Sequence, residues 1–156
     1  MNLSAVHVHL AINHSPLYCE LFALCLVIFG LIKARREFVT AGLIVSIIAA
    51  LCGIAADLSG DGAADYFTKA KPPVAGVDTT LIREHDLAAG YVVTTSCISA
   101  GIAMVALFLG RGLRARPRWL EIVVAIALLF SLTVVARTAL LGGRIHHQEV
   151  RALSAP

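Results

Sequence analysis

Four long apolar runs organise the chain: Leu10 to Ile32, Phe38 to Ala56, Leu87 to Gly110 and Trp119 to Gly143. Each is close to or above the ~20 residues with which an α-helix crosses a hydrocarbon core, and none shows the strict alternation of a half-buried strand. The pattern predicts an all-α fold, a transmembrane up-down four-helix bundle occupying residues 1–156 as a single domain. Pro16 falls inside the first run. A helix starting there would be a short span, so the helix is expected to begin upstream and to kink at the proline. The joints LIKARREF and GRGLRARPR are short and basic, whereas Leu58 to Asp86 is polar and reads as one long loop punctuated by Lys71-Pro72-Pro73.

Composition agrees with that pattern. The chain is 58% apolar and 15% charged, with a mean hydropathy of +0.83, against about 45–50% and about 25% in soluble domains. The apolar surplus must face a lipid bilayer, and a large soluble catalytic domain is excluded. The formal net charge of +3 is spread by topology and forms no patch, so nucleic acid is not an expected partner. Lys33, Arg35, Arg36, Arg111, Arg114, Arg116 and Arg118 all lie in the two short joints, which places those joints in the cytoplasm. Both termini and the long loop are then periplasmic, on the exoplasmic face of a bacterial inner (plasma) membrane. The N-terminal MNLSAVHVHL has no basic residue ahead of its apolar run, so a cleaved signal peptide is not expected. Cys19, Cys25, Cys52 and Cys97 form no CxxC or CxxCH motif and read as buried free thiols, with a Cys19–Cys52 disulfide left open.

This topology gathers the polar residues. All six histidines fall at the exoplasmic level: His7, His9 and His14 before the first span, His85 at the start of the third, His146 and His147 after the fourth, with Asp57 closing the second. Every helix thus offers a candidate ligand to one layer. Small residues accompany them at helical spacing, as in Ala139-Gly143-His147 and Ala49-Gly53-Asp57. Glu20 and Arg137 lie one to two turns inside their spans, where a charge normally finds a partner. Either they pair, or Arg137 holds an anionic group such as a haem propionate while Glu20 serves as a proton relay or quinone contact.

Two metal chemistries suit the layer. Spans one and three are diagonal in an up-down bundle, so His14 and His85 can face each other as the axial pair of a b-type haem, with His147 and His9 or His146 serving a second centre or supporting the first. Alternatively His14, His85 and His147, with Asp57 or Asp61, surround one zinc, copper or iron ion. No HExxH motif supports metal-assisted hydrolysis. The third reading is a structural accessory subunit that packs its polar layer on a partner.

The strings HLAINHSP, GDGAAD, IREHDLAAGY and LGGRIHHQEVR resemble an uncharacterised family of bacterial inner-membrane proteins with four helices. The shared pattern is Asn-His-x-Pro before span one, Gly-(Glu or Asp) after span two, Glu-His opening span three and Gly-Gly-x-Ile-x-His-x-Glu after span four. Asn13, His14, Pro16, Gly60, Asp61, Glu84, His85, Gly142, Gly143, His147 and Glu149 match it. The chain departs at His146, where relatives carry a basic residue, which favours His147 as the ligand. The resemblance implies fold and topology, and a more distant similarity to membrane cytochrome b bundles implies haem. The expected role is a non-catalytic electron carrier between the quinone pool and a periplasmic electron carrier, as a subunit of a larger membrane redox complex.

Overall fold

The computed structural model describes residues 3–111 and 116–147. It contains five helices among the described residues, α1 Leu3–Ile12, α2 Ser15–Lys33, α3 Arg36–Lys69, α4 Thr79–Leu109 and α5 Arg118–His146, and no strand. Helices α2 to α5 form a four-helix bundle in which each packs on its chain neighbours and α5 closes back on α2, leaving α2 and α4 diagonal. Four helical segments are long and apolar enough to cross a membrane, Ala5–Lys33, Arg36–Lys69, Thr79–Leu109 and Arg118–Ile145. The protein is a multi-pass membrane protein of the all-α class.

Side-chain size is distributed as lipid requires. The core is built largely from small residues, Ala23, Ala49, Ala50, Ala100, Ala103 and Ala106, around Leu43, Val124 and Leu128, while Phe22, Leu51, Phe108, Ile126 and Phe130 point outward. Hydrocarbon solvates a leucine as well as another leucine does, so close backbone approach governs which residues go inside. At Gly42 a Cβ would lie 2.7 Å from Val27 Cγ2 and 2.9 Å from the Ala23 carbonyl; any side chain there pushes α2 and α3 apart.

Three boundaries differ from the hydropathy reading. The polar stretch expected as a long loop is mostly helix: α3 runs to Lys69 and α4 starts at Thr79. Only residues 70–78 are non-helical. At 34 residues, α3 is about 51 Å long, well beyond the ~30 Å of a hydrocarbon core. The expected kink at Pro16 is a full break, with α1 ending at Ile12 and α2 starting at Ser15 with Pro16 in its first turn. Proline needs no N–H partner there, so it starts the second helix instead of bending a continuous one. The freed α1 packs on the overhanging half of α3. Finally, all four cysteines are free thiols, and Cys25 and Cys97 are exposed on the outside of the bundle, not buried as expected.

A candidate histidine-lined cavity

The overhang of α3, the start of α4, the end of α5 and the added α1 enclose a cavity of about 290 Å³. Four histidines line it, His9, His14, His85 and His147, together with Asp57 and Asp86. The remaining wall is largely aliphatic and small, as with Val6, Leu10, Ala56, Ile82 and Ala139.

Two of the histidines are fixed in place. His9, on α1, has Nδ1 3.0 Å from the Ala56 carbonyl oxygen of α3 and 3.3 Å from Ser59 Oγ, which itself donates to the same carbonyl. His85, on α4, has Nδ1 3.0 Å from the Thr138 carbonyl oxygen of α5. A carbonyl oxygen only accepts, so in both rings Nδ1 carries the hydrogen and donates. In the neutral imidazole Nε2 is then left with a free lone pair, the arrangement by which proteins orient histidine ligands. Each ring also rests against a glycine. A Cβ at Gly60 would lie 3.2 Å from His9 Cε1, and one at Gly142 would lie 3.0 Å from His85 Cε1. The two imidazoles are neighbours, with centroids 6.4 Å apart and planes at 78°.

The other candidates occupy different places. His14 is the exposed N-cap residue of α2, without a side-chain capping bond, and lines the cavity. The residue beside His85 is therefore His9, not the expected His14. His147 is the exposed C-cap residue of α5 and also lines the cavity. Asp57 is half-buried in the wall, whereas Asp61, one turn further along α3, is exposed and does not line it. Arg137 is exposed on the outer surface of α5 and away from the cavity. The expected pairing with Glu20 does not form, because the inward face of α5 carries Ser131, Val135 and Thr138 and residue 137 lies on the opposite side of the helix. The side chain of His146, and Glu149 of the family motif, lie outside what is described.

Glu20 instead has hydroxyl partners that the sequence reading did not single out. It is 1% exposed, and both Ser96 Oγ and Ser131 Oγ donate to its Oε1, Ser131 at 2.7 Å. Its Oε2 has no hydrogen-bond partner among the described residues. Glu20, Ser96 and Ser131 each lie four residues from a cavity-lining residue, Pro16, Val92 and Val135 respectively. The carboxyl therefore sits one helical turn beneath the cavity floor. Serines at the depth of an intramembrane acid were the available signal for this cluster. Asp86, next to His85, was the other missed lining residue.

Ligand number separates the two metal readings. A bare zinc, copper or iron ion takes three or four protein ligands, and among the described residues no three His, Cys, Asp or Glu side chains come together to hold one. Haem iron asks the protein for two axial ligands at most, the porphyrin supplying the rest. The 6.4 Å between the His9 and His85 ring centres is close to the ~6 Å that would separate two imidazoles sharing one metal ion at 2.0–2.1 Å from a nitrogen of each. The cavity volume of about 290 Å³ lies just below the roughly 300–1,000 Å³ of ligand sites, so a group the size of haem would be housed in it only in part.

Comparison of the chain with protein-family models, curated proteins and solved structures returns no match.

Proposed function

We propose that the protein is an electron-transfer protein of the bacterial inner membrane in which His9 and His85 would hold a b-type haem. The observation that carries this reading is the pair of carbonyl-anchored imidazoles, 6.4 Å apart, that line the same cavity. When bound, haem supplies a reversible one-electron couple. The chain's own residues do the rest. The Ala56 and Thr138 carbonyls hold both rings in one tautomer and make Nε2 a better donor to a metal. The small aliphatic residues of the wall, such as Ala56, Ile82 and Ala139, would offer an apolar surface to a porphyrin. Glu20 is a carboxyl able to hold a proton beneath it, inside the bundle. Electrons pass between the quinone pool and a periplasmic electron carrier, with the protein acting as one subunit of a larger redox complex.

An absorption spectrum of protein purified in mild detergent from a haem-producing host tests the reading directly. A Soret band that shifts on dithionite reduction, with a sharp reduced α band, is expected. A flat spectrum from haem-replete cells would sink the proposal.

A periplasmic histidine end is supported by the basic residues of the two short joints. With the native cysteines replaced by serine, a membrane-impermeant maleimide applied to intact cells is expected to label a cysteine at Thr80 and to miss one at Glu37, both exposed positions at opposite ends of the bundle. The reverse pattern would put the cavity in the cytoplasm and exclude a periplasmic partner.

A further inference from the structure

The opposite end of the bundle carries a second cavity, of about 180 Å³, between the end of α2 and the starts of α3 and α5. Arg35, Arg36, Arg116 and Arg118 all line it, against one carboxylate, Glu121. Glu121 is already engaged: its Oε1 lies 2.7 Å from Arg116 Nε, and Arg116 spends a further donor on Thr40 Oγ1 at 3.1 Å. Arg35 pairs with Glu37 at 3.3 Å. Arg118 donates only to the Leu31 carbonyl, at 3.3 Å, and Arg36 has no ion pair among the described residues. Two guanidinium charges, Arg36 and Arg118, therefore line the cavity without a counter-charge among the described residues.

The backbone adds to this field. Helices α3 and α5 both begin here and neither has a side-chain cap, the N-cap of α5 being Pro117. Their first N–H groups and the positive ends of their dipoles point to the same end of the bundle. The residues that follow the lining Leu31 and Arg118 in the chain, Ile32 and Trp119, are apolar and outward-facing, 72% and 64% exposed. An arginine-lined hollow with an apolar skirt, at the end of membrane-spanning helices, matches one kind of molecule: a negative phosphate above hydrocarbon chains.

We propose that the cavity between α2, α3 and α5 binds the headgroup phosphate of an anionic phospholipid, with Arg36 and Arg118 as its charge partners and the acyl chains running down past Ile32 and Trp119. Guanidinium suits this role because its fork of N–H donors fits phosphate oxygens two at a time. The site is independent of the haem reading, being at the other end of the molecule.

Trp119 is the only tryptophan of the chain and stands beside the cavity, so its fluorescence reports the lipid next to it. The full-length protein would be placed in phosphatidylcholine nanodiscs containing a small fraction of phosphatidylglycerol or of phosphatidylcholine with brominated acyl chains. Two unbalanced arginines near the surface predict a preference for the anionic lipid of about thirtyfold, read as stronger quenching at equal mole fraction. The preference is expected to fall close to unity in Arg36→Gln/Arg118→Gln and to persist in Arg111→Gln, an exposed arginine outside the cavity. Equal quenching by the two lipids in the wild type would overturn the proposal, whether or not the variants fold. So would an equal loss in the Arg111 variant, which would mean a diffuse field and no site.

Discussion

His9→Ala and His85→Ala are each expected to remove the Soret absorption, while His14→Ala and His147→Ala retain it. The division follows from geometry. His9 and His85 are the two rings held by main-chain carbonyls, with centroids 6.4 Å apart, whereas His14 and His147 are exposed cap residues that line the cavity. Loss of a cap residue is expected to cost no more than the roughly 10–100-fold in affinity typical of groups that only support a ligand. Gly142→Ala belongs with the supporting groups: its methyl would meet His85 Cε1 at 3.0 Å and turn the ring. Haem titration of apoprotein, read at the Soret maximum, ranks all five variants. Full retention in His9→Ala with loss in His14→Ala would restore the ligand pair read from the sequence and reject the one drawn from the structure.

Glu121→Ala is expected to destabilise the bundle by about 3–5 kcal/mol. Arg116 and Glu121 have side chains only 6% and 11% exposed. Removing the carboxylate leaves a guanidinium in a low-dielectric setting with Thr40 as its one remaining side-chain partner. Replacing both members with leucine removes the desolvation penalty along with the attraction, so Arg116→Leu/Glu121→Leu is expected to recover most of the loss. Thermal unfolding in detergent, run as a double-mutant cycle, separates the two effects. A double variant as unstable as Glu121→Ala would show that the pair contributes through shape and not through charge.

Much of this architecture was legible because a membrane imposes a simple rule on sequence. The four apolar runs, the basic short joints and the diagonal placement of α2 and α4 follow from span length and charge. Hydropathy, however, marks where lipid ends and not where helices end. It stops at Ala56, while α3 continues through Asp57, Gly60 and Asp61 to Lys69, its polar turns sheltered by α1. The choice between His9 and His14 was hidden for a related reason. The break after Ile12 resets the helical phase, so spacing counted along one continuous helix cannot say which imidazole turns inward. Phase also decides Arg137. Its depth suited a buried ion pair, but Val135 and Thr138 own the inward face of α5, which leaves Glu20 to Ser96 and Ser131. Arg116 looked like one more positive-inside residue. Its burial depends on Glu121, five positions away across the start of α5, a pairing that no count of charges reveals.

The ten residues of α1 form a short arm, set off from α2 by the break at Asn13 and His14. It is held on α3 through His9 on Ala56 and Ser59 and lies close enough that a Cβ on Gly62 would stand 2.9 Å from that of Ala5. His85, by contrast, belongs to a 31-residue helix and is fastened to a neighbouring helix of the bundle itself. One side of the site is thus built on a long bundle helix and the other on a short docked arm, so a change that loosens α1 from α3 is expected to displace His9 and leave His85 in place.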